Sequence, residues 1–448
     1  MSASLSANNL EKIFEQVTPD IGTEAAMDEA NRCLYCYDAP CKKACPTGID
    51  IPSFIHKIAT GNMKGSAQTI MSANPVGATC ARVCPTEELC EGACVFNSVS
   101  LPIRIGDLQR YSTNWAMKSH QTMFHAGSFI GKSVAVIGSG PAGLSAAREL
   151  ARLGYKVEVF EKKEKAGGLD TYGIVPFRLP QSVSLWEVDQ VKQLGVTIHT
   201  EIEVGKDISS GQLVHDYDAV ILAAGMGKVP ASHIPGEHLK GVFDAIQLIE
   251  SVKDKQQSHD FGGKKAIVIG AGNTAIDAAT CLKRLGASTV QMVYRRSEKE
   301  MTAYPSEYAF AKQENVIFQW LTQPKEIIGD ASGRVTDIRC VHMTLGGKDE
   351  TGRATPMEIK GSDFNMSTDI VVRAIGQERH IPLIDLFSLE HDHGAVKVNP
   401  ETHQTSHPKV YAAGDICFSK LYGEAMVVSA AKQGVDTAHA IHKQLSAQ

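Results

Sequence analysis

The stretch at 134–161, VAVIGSGPAGLSAARELARLGYKVEVFE, decides how the rest of the chain is read. An apolar run enters a glycine turn, a helical pattern follows, and a second apolar run ends at Glu161. Gly138 permits the tight turn, Gly140 lets the backbone come close to a pyrophosphate, and Gly143 lets the helix lie against the strand. Ser139, Pro141 and Ala142 complete the turn and open the helix, whose first N–H groups are free to face phosphate. An acid roughly 20 residues beyond the turn is placed to hold a ribose 2′-hydroxyl, and Glu161 stands there.

The nucleotide expected at this unit is FAD. Gly167 and Gly168 follow soon after Glu161, and 410–415, VYAAGD, reads as a strand running into a turn at Gly414 and Asp415. This layout resembles the two-dinucleotide-domain flavoproteins of glutathione-reductase type. The resemblance implies that the late Gly-Asp turn meets the flavin side of FAD.

A second unit of the same plan lies at 266–296, AIVIGAGNTAIDAATCLKRLGASTVQMVYRR. Its turn is Gly270, Ala271, Gly272, Asn273 and Thr274, the variant in which alanine takes the third glycine position. The second strand ends at Arg295 and Arg296 instead of an acid. An acid suits a free 2′-hydroxyl and a guanidinium suits a 2′-phosphate, so the pair points to NADPH over NADH. Residues 312–361 read as β-rich filler of this domain. A strand at 369–376, ending at Gly376, is expected to return the chain to the FAD domain, and a last helix is expected over 424–442.

The remaining signal is cysteine. Eight of the eleven cysteines fall between Cys33 and Cys94, leaving Cys281, Cys340 and Cys417 elsewhere. The first group reads Cys33-x2-Cys36-x4-Cys41-x3-Cys45-Pro, and the second Cys80-x3-Cys84-Pro-x4-Cys90-x3-Cys94. A segment between them, 51–70, reads as helical, as do 23–34 before and 103–119 after. Thiols so spaced in an intracellular chain suggest metal, and Cys-x3-Cys-Pro ends the ferredoxin-type run for two [4Fe–4S] clusters. Zinc held by four thiolates is the rival, although paired Cys-x2-Cys knuckles would be more usual for it. By count alone the eight cysteines form two sets of four.

Composition excludes several classes. With 448 residues, 43% hydrophobic and 21% charged, the chain is an ordinary globular protein of two or three domains. A formal net charge of −5 gives no bulk attraction to nucleic acid. No apolar run reaches the roughly 18 to 20 residues of a membrane span, and the N-terminus lacks a signal peptide's basic start and apolar core. A cytoplasmic protein is expected. His391, His393, His403 and His407 read as solvated loop.

A nicotinamide delivers electrons in pairs, a cluster takes one at a time, and a flavin between them converts one to the other. Catalytic side chains are therefore not expected; the redox centres are the cofactors. Over nearly its whole length the chain resembles the electron-input region shared by dihydropyrimidine dehydrogenase and the glutamate synthase small subunit. The runs DAPCKKACPTGIDIPSFI, NPVGATCARVCPTEELCEGAC, IRIGDLQ and GGLDTYGIVPFRLP carry it, and look closer to dihydropyrimidine dehydrogenase. The resemblance implies an electron-input subunit passing electrons from NAD(P)H through FAD and two [4Fe–4S] clusters. Its partner would be an FMN and iron–sulfur subunit that reduces uracil and thymine to 5,6-dihydropyrimidines.

The same resemblance implies ligands. Cys33, Cys36, Cys41 and Cys94 would hold one cluster, and Cys45, Cys84, Cys90 and Gln109 the other, with Cys80 a bystander unless the second set is all cysteine. Glu161, Lys162, Gly168, Leu169, Arg178, Val204 and Asp415 would line FAD. Ala271 to Thr274, Arg295, Arg296 and Gly376 would line the nicotinamide nucleotide. One departure is Thr302, where NADPH-using relatives have a further basic residue.

The expected architecture is thus α/β: a helical domain with two iron–sulfur clusters over 1–130, then two Rossmann-like domains of glutathione-reductase type. FAD would take 131–255 and 371–448, and NAD(P)H 256–370. The alternatives are a glutamate synthase small subunit or related NAD(P)H:acceptor oxidoreductase, and a zinc-stabilised adaptor. A disulfide reductase is disfavoured, because no closely spaced cysteine pair lies in either nucleotide unit.

Overall fold

The computed structural model describes residues 13–253, 261–349, 352–418 and 425–446. Its N-terminal region is built of helices α1 (Thr23–Asn31), α2 (Pro40–Ala44), α3 (Ile51–Ala59), α4 (Met63–Ala73), α5 (Gly77–Val83) and α6 (Ile105–Ser119). Helix α3 starts where the Asp50 carboxylate accepts the Ser53 N–H at 3.2 Å, and it buries Ile51, Phe54, Ile55 and Ile58 at helical spacing. The segment read as one helix over 51–70 is in fact two. Gly61 adopts φ +76, which ends α3, and the Asn62 side chain accepts the Gly65 N–H at 2.9 Å, which starts α4.

The two [4Fe–4S] clusters expected in this region are corrected by the structure. Among the described residues, no group of three or more His, Cys, Asp or Glu side chains is placed to hold a metal ion. Cys33, Cys36, Cys41 and Cys94 line one small pocket with Leu34, Ile51, Ile55 and Phe96. Burial raises the Cys33 thiol and pushes Cys41 up to about 11, and it lifts Cys90 well above the ordinary thiol range. Cys80 is hydrogen-bonded to Cys84, and Cys45 Sγ lies 3.4 Å from Thr47 Oγ1. The Gln109 amide donates to the Gly77 carbonyl at 2.8 Å. Cys33, Cys41, Cys45, Cys90 and Cys94 pack with the apolar core of Ala26, Phe54, Ile58 and Leu108. The iron–sulfur part of the expected fold, cofactor set and ligand set is therefore not retained.

Beyond the helical region come β1 (Ser133–Ile137), α7 (Pro141–Arg152), β2 (Lys156–Phe160), α8 (Gln181–Lys192), β3 (Thr197–His199) and β4 (Ala219–Leu222). The chain continues through β5 (Val242–Asp244), α9 (Ala245–Lys253), β6 (Lys265–Ile269), α10 (Asn273–Arg284), β7 (Thr289–Val293) and β8 (Ile317–Gln319). Then follow β9 (Thr322–Gly329), β10 (Val335–Lys348), β11 (Ala354–Ser367), β12 (Ile370–Arg373), β13 (Val410–Ala412) and α11 (Val427–Ser446).

These elements fall into two compact units. One comprises Val17–Thr171, Arg178–Met226 and Arg379–Gln448. It holds the helical region and a parallel sheet of order β13-β4-β1-β2-β3. Val136, Leu144, Leu150, Val157, Tyr411 and Ile441 form the core on one side of this sheet, and Ile137, Leu222, Ile384, Phe387 and Val410 on the other. Strands covered on both faces explain the unbroken apolar runs in the sequence. Within this unit, the buried Glu187 of α8 ties down the helical region: Oε1 accepts the Ala78 and Thr79 N–H groups at 2.7 and 3.1 Å, and Oε2 accepts the Thr79 hydroxyl at 2.5 Å.

The other unit comprises Met1–Gln16, Tyr172–Phe177 and Gly227–Glu378. Its parallel sheet has the order β5-β12-β6-β7-β8, and an antiparallel sheet β11-β10-β9 accompanies it. The strand read as returning to the FAD domain is β12. It pairs with both β5 and β6 in this second sheet, and the chain leaves the unit after Glu378. A short strand whose first three residues, Ile370 to Val372, are apolar and buried fits the middle of either parallel sheet, and only its partners decide between them. No helix among the described residues is long and apolar enough to cross a membrane.

Candidate functional site

In the first turn, the Gly138 N–H donates to the Phe160 carbonyl at 2.9 Å, holding the end of β1 beside the end of β2. Gly138 has φ +95, and a Cβ there would lie 2.6 Å from the Ala223 carbonyl oxygen. A Cβ at Gly143 would lie 2.0 Å from the Gly138 carbonyl oxygen, and one at Gly168 would lie 2.7 Å from the Gly140 Cα. Gly140 caps the N-terminus of α7. The result is a stretch of bare backbone at a helix start, the arrangement a pyrophosphate needs.

Glu161 closes this site. Its Oε2 accepts the Ser139 N–H at 3.1 Å and the Ser139 hydroxyl at 2.6 Å, and Oε1 accepts the Lys163 N–H at 2.9 Å. Ser139 Oγ in turn accepts the Gly167 N–H at 3.0 Å. The acid is thereby aimed before any ribose arrives. Glu161→Ala is expected to lower flavin affinity about tenfold or more, since hydrogen bonds to a charged group are worth about 1.5–3 kcal/mol. A fluorescence titration of apoprotein with FAD measures this; an unchanged affinity would remove Glu161 from the site.

Gly414 and Asp415 come to the same site from the far end of the chain. A Cβ at Gly414 would meet the Ala142 Cβ at 3.0 Å, and the Gly414 N–H donates to Gln433 Oε1 at 2.8 Å. Arg379 donates to the Asp415 and Phe418 carbonyls at 3.0 and 2.7 Å and so holds this loop. Burial raises the Asp415 carboxyl above its ordinary range, with the Arg379 charge acting against the shift. Lys162 is exposed, Leu169 is partly exposed, Arg178 is half-buried, and Val204 forms a single bridge with Ile208. The bare cradle with its buried acid fits the nucleotide end of FAD.

Two contributors escaped the sequence reading. A Cβ at Gly434 would lie 2.1 Å from the Ala142 carbonyl oxygen, so this glycine lets α11 pack against the start of α7. A glycine inside a helical pattern was its available signal. Arg379 had none.

The second turn repeats the plan in the other unit. The Gly270 N–H donates to the Val293 carbonyl at 3.1 Å, and a Cβ at Gly270 would lie 2.3 Å from the Ala374 carbonyl oxygen. Gly272 caps α10. The Ala271 carbonyl accepts the Thr302 and Ala303 N–H groups, and Asn273 Oδ1 accepts the Tyr304 N–H at 3.0 Å. Thr274 and Arg295 are exposed, Arg296 is buried, and Gly376 lies just beyond β12.

A family model described as pyridine nucleotide-disulphide oxidoreductase matches residues 132–444. The chain belongs to that family. It is an NAD(P)H- and FAD-dependent oxidoreductase. A second family model, described as dihydropyrimidine dehydrogenase domain II, 4Fe-4S cluster, matches residues 10–121. The cluster is part of that model's description; the described residues of this oxidoreductase bring together no metal-holding group.

The oxidoreductase is 35% identical over 433 residues to the NAD-dependent dihydropyrimidine dehydrogenase subunit PreT of Escherichia coli O157:H7, covering 96% of this chain and 97% of that one. It is 34% identical over 450 residues to the glutamate synthase [NADPH] small chain of Azospirillum brasilense, covering 97% and 92%. The structure of Mycobacterium tuberculosis FprA in complex with NADPH aligns with a TM-score of 0.57 at 23% identity, over 70% of this chain and 85% of that one. This last likeness is one of fold. The two kinds of relative match about equally well. With that balance and without a metal-holding group, the specific reading as the cluster-bearing input subunit of dihydropyrimidine dehydrogenase gives way to the broader oxidoreductase.

Proposed function

We propose that the chain is an NAD(P)H:acceptor oxidoreductase of the glutamate synthase small-chain kind, delivering electrons to a separate partner chain. The supporting observation is a pair of dinucleotide turns unaccompanied by a usable thiol pair. Cys281, Cys340 and Cys417 are buried in three different apolar cores. Burial lifts all three thiols, Cys340 and Cys417 to about 12. Exchange with a disulfide needs an accessible thiolate. These three thiols are therefore not placed for exchange with a disulfide, which favours an acceptor beyond the two nucleotide turns.

FAD, when bound, supplies a centre that takes an electron pair from reduced nicotinamide and releases it onward. Gly138, Gly140, Gly143, Glu161, Gly168 and Asp415 would hold it, while the turn at Gly270 would hold the nicotinamide nucleotide. The relatives named as a subunit and a small chain favour a partner that carries the substrate site. Leu34, Tyr37, Val99 and Leu101 of the helical region are exposed, which suits a surface that another chain covers. A cytoplasmic setting agrees with eleven free thiols.

Anaerobic mixing with NADPH or NADH should bleach the flavin absorbance, and steady turnover should follow with ferricyanide but not with a small aromatic disulfide. Nicotinamide oxidation that requires the disulfide would overturn this reading.

A further inference from the structure

The two turns share a register that identifies equivalent positions. Gly138 N–H meets the Phe160 carbonyl, and Gly270 N–H meets the Val293 carbonyl. The residue after Phe160 is Glu161, so its counterpart after Val293 is Tyr294. Tyr294 offers no carboxylate to a ribose 2′-hydroxyl, and its own hydroxyl donates to the Glu300 carbonyl at 3.0 Å. Discrimination at this corner therefore falls to the two arginines that follow.

The structure treats those arginines differently. Arg295 is exposed. Arg296 is only 5% exposed; its Nε donates to the Ala354 carbonyl at 2.9 Å and its Nη2 pairs with Asp349 Oδ2 at 2.9 Å. Both acceptors lie at the facing ends of β10 and β11. Asp349 is itself set in place, since its Oδ1 accepts the Arg353 N–H at 3.1 Å and its N–H donates to the Arg353 carbonyl at 2.8 Å. A guanidinium so held has its charge matched and its fork engaged, leaving little for a phosphate. Thr302, beside Gly272, adds no charge.

We propose that Asp349 is a nucleotide-specificity residue: by withdrawing Arg296 into a buried pair, it leaves Arg295 as the guanidinium that recognises the 2′-phosphate of NADPH. Asp349 acts through Arg296 and is a positioning residue. The inference rests on the reading that the Gly270 turn binds the nicotinamide nucleotide.

The test compares wild type with Arg295→Ala, Arg296→Ala and Asp349→Asn, using ferricyanide turnover with NADPH and with NADH. Asp349→Asn keeps the Oδ1 acceptor for Arg353 and replaces the Oδ2 that accepts from Arg296 with an uncharged amide donor. It should free Arg296 and lower KM for NADPH severalfold, with kcat and KM for NADH unchanged. Arg295→Ala should raise KM for NADPH about tenfold or more, the usual cost of a charge-assisted phosphate contact, and leave NADH alone. Arg296→Ala should leave the preference for NADPH over NADH as it was. The proposal is overturned if Arg296→Ala abolishes that preference with flavin content intact, or if Asp349→Asn leaves both KM values in place. If neither nucleotide reduces the wild-type flavin, the underlying reading fails instead, independently of the variants.

Discussion

Gly143→Val is expected to yield a protein that purifies without flavin. A Cβ at this position would stand 2.0 Å from the Gly138 carbonyl oxygen and 3.3 Å from Val136 Cγ1, and backbone at the heart of the turn has nowhere to move. Either α7 lifts away from β1 or the turn opens, and both displace the N–H groups that would face a pyrophosphate. Overpacking of this kind costs about 3 kcal/mol, equivalent to about a hundredfold in affinity. Circular dichroism separates loss of flavin from loss of fold, because the second unit contributes its own sheet and should stay ordered. A Gly143→Val protein with a full complement of flavin would mean that the first turn is not where the nucleotide binds.

Glu187 carries the second large effect. Its carboxylate accepts three hydrogen bonds from Ala78 and Thr79, and Glu187→Ala leaves those donors buried without partners. The expected loss is about 3 kcal/mol or more, given about 1–3 kcal/mol for each stranded group. Limited proteolysis should then cut the helical region first. The same residue imposes a pH dependence. Burial raises its carboxyl from 4.5 to about 7, against the hydrogen bonds from Thr79 and Ala78 and the Arg82 charge. The folded state therefore keeps a proton that the unfolded chain has lost. Stability contributed by this proton is complete below pH 4.5 and falls as pH rises towards 7, by about 1.4 kcal/mol per unit at most. Above that it is level. Denaturant titrations of wild type and Glu187→Gln from pH 5 to 8 test the sign: the difference between them should change across this window and be constant above it. A parallel pair of profiles would contradict the assignment.

The legible parts of this molecule are those whose demands are local. The spacing of Gly138, Gly140 and Gly143 announces the turn, a side chain at Gly143 would meet the Gly138 carbonyl oxygen five residues back, and Glu161 follows at the distance one helix and one strand impose. The second turn is legible from the same spacing, with alanine in the third glycine position. The apolar runs of β1, β6 and β12 show that these strands are buried on both faces.

What stayed hidden depends on partners far away in the chain. Beta strand β12 reads equally well in either sheet, and only its pairing with β5 and β6 places it in the second. Arg296 reads like Arg295 in the sequence, and only the structure shows its guanidinium paired with Asp349, 53 residues on. Glu187 and the donors at Ala78 and Thr79 are more than a hundred residues apart. The cysteine spacing suggested clusters, yet spacing records neither how deeply each thiol is buried nor what surrounds it. Local sterics write the nucleotide turns into the sequence; the environment of each charge and thiol is settled by the tertiary fold, because burial and charge pairing are properties of neighbours that chain order does not name.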